Sequence, residues 1–185
     1  MNRHYLAMAI VAILVCACPG ARAGQDDPRL APLFDKLKTT PSDDEAKTAE
    51  RQIWQIWIEH KNPEIARRMR QGMTAMGEDD QEAALDDFDA VVKYDKTFAE
   101  GWNKRATIEF VMGDYSASVA DIERTLALEP RHFGALAGLG QIYLALDRKA
   151  LALKAFHAAL AINPHLDSVR QTIKELEKGT KGSPI

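Results

Sequence analysis

Between residues 65 and 166 the chain repeats itself. The segments 65–98, 99–132 and 133–166 align without a gap, at a period of 34 residues. Such a period restricts the fold more than any compositional feature does. Each copy is one small unit that cannot bury its apolar face alone, so the copies must stack. Apolar residues recur at helical spacing within each copy, and the alternation of a half-buried strand is absent. The expectation is an all-α stack of three helical hairpins.

Residue types at equivalent points agree with that. Gly72, Ala106 and Gly140 are small on the first helix of each hairpin, and Ala84, Ser118 and Ala152 are small on the second. Small residues let two helices approach closely. Phe88, Ile122 and Phe156 are expected to fill the space between one hairpin and the next. Pro130 and Pro164 end the second helices, because proline cannot continue the hydrogen-bond ladder.

The third copy carries Leu136, Leu139, Gly140, Tyr143, Ala152, Phe156, Ala159 and Pro164. The second has Trp102, Ala106, Ser118, Ile122 and Pro130 at matching places, with Gly113-Asp114-Tyr115 at the turn. The first is degenerate: Arg68 replaces the Trp and Lys96 the last Pro. The stretch resembles the tetratricopeptide repeat, with its W-x2-L-G-x2-Y, A-x3-F and P signature. The resemblance implies an all-α helical-hairpin solenoid of three repeats, with N-terminal helices and a C-terminal capping helix.

It also implies a concave face that binds a protein or peptide. The face is expected to hold Ala66, Met69, Met73, Met76 and Gly77 in the first repeat. It continues with Glu100, Asn103, Thr107, Phe110 and Val111, then Gly134, Ala137, Gln141, Leu144 and Ala145. Methionines adapt to varied partners. Affinity is expected from apolar burial, and orientation from Glu100, Asn103, Lys104 and Gln141. Some members of the family grip a C-terminal carboxylate with Lys, Asn and Arg. The equivalent places here hold Met69, Met73, Lys104, Gly134 and Gly138, so that clamp is not expected.

Arg105 stands where the repeat usually buries a leucine, so its charge needs a partner. Asp121 and Glu109 are the expected partners in a structural ion pair; an anion site would require Arg105 to be free.

Residues 30–38 and 44–60 read as two further helices within an N-terminal segment, 24–64. Ser42 followed by Glu45 is a capping-box pattern. The second helix ends in Ile53, Trp54, Ile56, Trp57 and Ile58. Its tryptophans are expected to cover the first repeat as a cap. The competing expectations are a ligand platform and a helix folded across the concave face. Residues 167–178 read as the C-terminal cap, stopped by Gly179, with 179–185 as a loose tail.

Residues 1–23 read as a secretory signal: Arg3, an apolar run, then Ala21-Arg22-Ala23 before Gly24. The run is short for a membrane span of about 20 residues. An uncleaved anchor, or a lipid on Cys18 at a loose lipobox, would be the membrane attachment. The expected location is the periplasm, as for small repeat proteins of Gram-negative envelopes. Cleavage would remove Arg3, Arg22, both cysteines and no acid, so the net charge of −3 becomes −5. A pI of about 6.0 speaks against nucleic acid. His4, His60, His132, His157 and His165 have no metal-ligand spacing, and no nucleophile or phosphate-loop motif occurs. Neither catalysis nor a cofactor is expected. His132 and His165 fall in turns, where polar residues belong.

Overall fold

The computed structural model describes residues 24–181. The expected leader with Cys18, and residues 182–185, lie outside them. Among the described residues there are nine α-helices and no strand. None of the helices is long and apolar enough to cross a membrane. After a short 3-10 turn at Gly24–Asp26 come α1 (Leu30–Thr39) and α2 (Asp43–Ile58). Three hairpins follow: α3 (Pro63–Gly77) with α4 (Gln81–Tyr94), α5 (Ala99–Val111) with α6 (Tyr115–Leu128), and α7 (Phe133–Ala145) with α8 (Lys149–Ile162). Helix α9 (Asp167–Lys181) packs on α8 and closes the stack.

Local chemistry sets these helices. Asp80 and Asp114 cap α4 and α6, accepting the N–H of Ala83 and Ala117 at 3.1 and 3.0 Å. Asn62 and Pro63 open α3. Ser42 caps α2 by accepting the Glu45 N–H at 3.4 Å. The other half of the expected box is missing, because the Glu45 carboxylate takes the Thr40 hydroxyl instead. The turn inside each hairpin has one residue at positive φ: Asp79 (60°), Gly113 (82°) and Asp147 (53°). Only glycine is at ease there, yet all three hairpins keep the turn.

The small residues act within their own hairpin. A Cβ on Gly72 would meet the Phe88 ring at 2.7 Å, and one on Gly140 would collide with Phe156. Phe88 also belongs to a core cluster that takes in Phe98 and Ile108 of the next hairpin. The rings of Phe88 and Phe156 therefore fill the space within their own hairpins, where the sequence suggested only the space between repeats.

Helix α9 runs through Gly179 to Lys181, past the expected stop. A glycine inside a helix costs about 1 kcal/mol relative to alanine but does not forbid the helix.

The N-terminal helices are not a cap on the first repeat. Leu30, Phe34 and Leu37 of α1 pack with Ala46, Ala49, Ile53 and Ile56 of α2, and this cluster takes in Trp57 and Phe133. Trp57 stacks on His132 at 4.0 Å, and Trp54 meets Phe133 edge-on at 5.5 Å. The tryptophans thus sit where the second repeat joins the third. Helix α2 and the residues just after it strap the two loops that link one hairpin to the next and the loop that links the last hairpin to α9. His165 and Asn163 contact Asp43 and Glu50 at 3.3 and 3.1 Å. His132 contacts Trp57, and His60 bonds Asp95 at 3.1 Å. Each loop has the same shape for one reason. The side chains of Asp95, Glu129 and Asn163 accept the N–H two residues on, at 2.8, 3.0 and 3.0 Å. A straight helix can lie only against edges that repeat.

Candidate functional site

The strap divides the concave side. Beyond it, a hollow of about 220 Å³ opens between α5 and α7, with Ser118 and Ile122 of α6 behind it. Gly134, Gly138, Ala106 and Ile122 line the bottom, and Asn103, Thr107, Phe110 and Gln141 form the walls. Thr107 and Gln141 are exposed and Phe110 is half-buried against Tyr115, ring to ring at 5.7 Å. Leu144 is half-buried as well, packed toward Phe156 and Ile173. No lining side chain carries a charge.

Several residues expected on this face are spent on the fold. Met69 is 2% exposed, inside the core of the first repeat, whereas Met73 is 38% exposed and Met76 half-buried. Helix α3 turns only one edge of the methionine row to solvent. Glu100 is 1% exposed, so it cannot orient a partner. Asn103 donates to it at 3.2 Å, and the Lys104 ammonium lies 3.3 Å away, near the Trp54 ring. The three orienting residues expected in the second repeat are therefore tied to one another. Gln141 stays free to reach a partner.

The centre of that knot is His132, a turn residue in the sequence and wholly buried in the structure. Its Nδ1 accepts the Ala135 N–H at 3.1 Å and so caps α7. The ring proton is then on Nε2, which donates to Glu100 at 2.8 Å. Burial pushes the Glu100 carboxyl up, but the His132 bond and the Lys104 charge outweigh it and the net direction is down.

A second cluster lies on the other side of α5. Arg105 holds Asp121 in a two-pronged pair at 2.7 and 2.9 Å and reaches Asp89 on α4 at 2.6 Å. Asp89 was not expected from the sequence, and it ties the first repeat to the second. The Trp102 ring lies 4.9 Å from the guanidinium. Arg105 is therefore not free to bind an anion. Glu109 sits 3.7 Å from it, the worst-placed acid of the three. Burial first, and then the Asp121 charge, push the Glu109 carboxyl up to about 7 against the pull of Arg105.

Of the two floor glycines, Gly134 is among the residues the repeat register puts on the concave face, whereas Gly138 is not. The signal available was smallness: Gly134 and Gly138 stand one helical turn apart on α7.

A family model described as Tetratricopeptide repeat matches residues 103–167. A TPR repeat-containing protein of Rhizobium etli is 36% identical over 155 residues, covering 84% of this chain and 76% of its own. The crystal structure of MamA has a TM-score of 0.60 at 21% identity, covering 80% of this chain and 84% of that one. The first TPR of Spaghetti (RPAP3), bound to the HSP90 peptide SRMEEVD, has a TM-score of 0.62 at 15% identity. That match covers 66% of this chain and 97% of that one. At these identities the two structures speak for the fold alone.

Proposed function

Since the chain belongs to the tetratricopeptide repeat family, we propose that it is a non-catalytic interaction module that holds a segment of another protein in the hollow between α5 and α7. The observation that carries this is the hollow itself: an open, uncharged recess floored by glycines on the concave side. Binding sites are concave and mostly apolar, with a few polar groups that fix orientation. Thr107 and Gln141 are those groups here. Both solved structures above share the fold, and the Spaghetti domain holds a peptide.

We place its work in the bacterial cell envelope, with residues 1–23 removed during export. The leader pattern and the cysteine-free remainder support this. Mass measurement of protein from a periplasmic fraction tests it: a chain beginning at Gly24 is expected, and a full-length cytoplasmic chain overturns it.

The binding reading is tested by Gly138→Leu. A Cβ there meets only Ile122, at 3.7 Å, so the chain should fold while the leucine fills the recess. Partner recovery in a crosslinking pull-down should fall at least about tenfold with melting unchanged. Undiminished recovery overturns the reading.

One observation favours a rival. Trp54 lies over Gly134, so the N-terminal helices occupy part of the concave side. In that reading the groove is self-filled and the protein is a structural or self-assembling envelope part. Light scattering across a hundredfold concentration range separates the two, since only the rival expects the mass to grow.

A further inference from the structure

The strap creates a second hollow that the first one does not explain. Where the end of α2 meets the concave face of α3, a recess of about 440 Å³ opens. Its apolar floor is Ile58, Ala66, Met69 and Met73, and its rim holds Lys61 and Arg70. This size falls in the range of about 300–1,000 Å³ typical of ligand sites.

The charges decide what it fits. The run Arg67-Arg68-Met69-Arg70 holds three arginines on α3. Arg67 is paired with Glu64, and Arg68 with Asp87 at 2.7 Å. Arg70 has no acidic partner among the described residues, and neither has Lys61. The acid at this rim, Glu59, is turned to Arg29 at 2.6 Å. His60 is engaged with Asp95. Two unneutralised cations thus flank an exposed methionine in an otherwise acidic protein.

We propose that this recess is a second docking site, for a protein segment that carries a carboxylate side chain beside an aliphatic one. The aliphatic group lies on Met73, Ala66 and Ile58, and the carboxylate faces Arg70 and Lys61. The cations give the site its choice of sign, and methionine lets the floor adapt to more than one aliphatic shape. This site is separate from the uncharged hollow between α5 and α7, and it reads a different chemistry.

The test uses the full chain on a peptide array in which Leu, Ile, Met or Phe is followed by Glu, Asp, Gln, Asn or Lys. Spots with Glu or Asp should retain the protein at least about fivefold better than their Gln or Asn isosteres. Arg70→Gln and Lys61→Gln, both at exposed positions, should erase that preference without changing the melting temperature. Gly138→Leu should leave it intact. Equal retention of acids and amides, an empty array, or a preference that survives Arg70→Gln overturns the proposal. Oleate is the control for a lipid occupant. If oleate binds and Arg70→Gln abolishes that while the array shows no acid preference, the site takes a fatty carboxylate and the proposal fails. If only Gly138→Leu abolishes array binding, the first hollow stands and the second does not.

Discussion

Glu100 and Glu109 belong to one helix, and burial affects both, yet their carboxyls move in opposite directions. Glu100 is the more deeply buried and is nonetheless held charged. It collects His132, Asn103 and Lys104 from three directions. Glu109 is less buried and is driven up to about 7. Each of the two glutamates keeps one buried oxygen without a hydrogen bond, but the cation nearest Glu109, Arg105, is already used by Asp121 and Asp89. Depth alone therefore does not decide whether a buried acid ionises. The number of donors still unspent when it arrives decides it.

The largest expected effect comes from removing the donor that makes Glu100 possible. His132→Ala takes away the Glu100 bond, the cap of α7 and the stacking surface of Trp57. Breaking a buried pair from one side should cost about 3–5 kcal/mol. Urea denaturation near neutral pH measures it, and a loss below about 1 kcal/mol breaks the comparison on the Glu100 side.

Next is Asp121→Ala. It leaves Arg105 bound to Asp89 but frees the guanidinium edge that faces Glu109. Stability should fall by about 2 kcal/mol. At the same time the Glu109 midpoint should drop from about 7 toward the usual carboxylate range, read by carboxyl-resolved NMR. If stability is unchanged, the pairing is wrong. If the midpoint stays, spent donors are not what raises Glu109.

The smallest effect is a pH dependence, and its sign follows from the direction of each shift. Glu109 binds its proton more tightly folded than unfolded. Its stabilising contribution is complete below the unfolded value of 4.5 and is lost as pH rises through about 7. Glu109→Gln should remove that loss, so the variant gains about 1 kcal/mol on wild type between pH 5 and 8. Glu100 has the opposite sign: its contribution is present above 4.5 and is lost as pH falls below it. Denaturation of both Gln variants from about pH 3 to 8 should give difference curves of opposite slope, the Glu100 curve changing below 4.5 and the Glu109 curve between 4.5 and about 7. Parallel curves would merge the two glutamates into one case.

The helices were legible because their signals are local. Asp80, Asp114 and Asn62 stand at helix starts, and Gly72 and Gly140 mark where two helices approach closely, although not that a ring of the same hairpin lies on each. The Arg105–Asp121 contact was legible too, since the facing positions of one hairpin are fixed by the repeat register. Asp89 was not, because its pairing crosses from one hairpin to another. His132 looked like an ordinary turn residue, and nothing near it in sequence says that Trp57 will lie on it. Glu100, Asn103 and Lys104 occupy inward-facing positions of the repeat, but an inward-facing position need not face solvent, and Glu100 and Asn103 are buried.

The sequence by itself determined the period, the order of the helices among the described residues and the family. These rest on spacings of 3.6 and 34 residues, which the chain carries along its length. Only the tertiary structure decided where the N-terminal helices lie. Their contacts join residues 43–60 to loops at 95, 132 and 163, and no periodicity links such distant positions. That placement put Trp57 on His132 and Trp54 over Gly134, and it formed the recess that Lys61 and Arg70 line together with Met73.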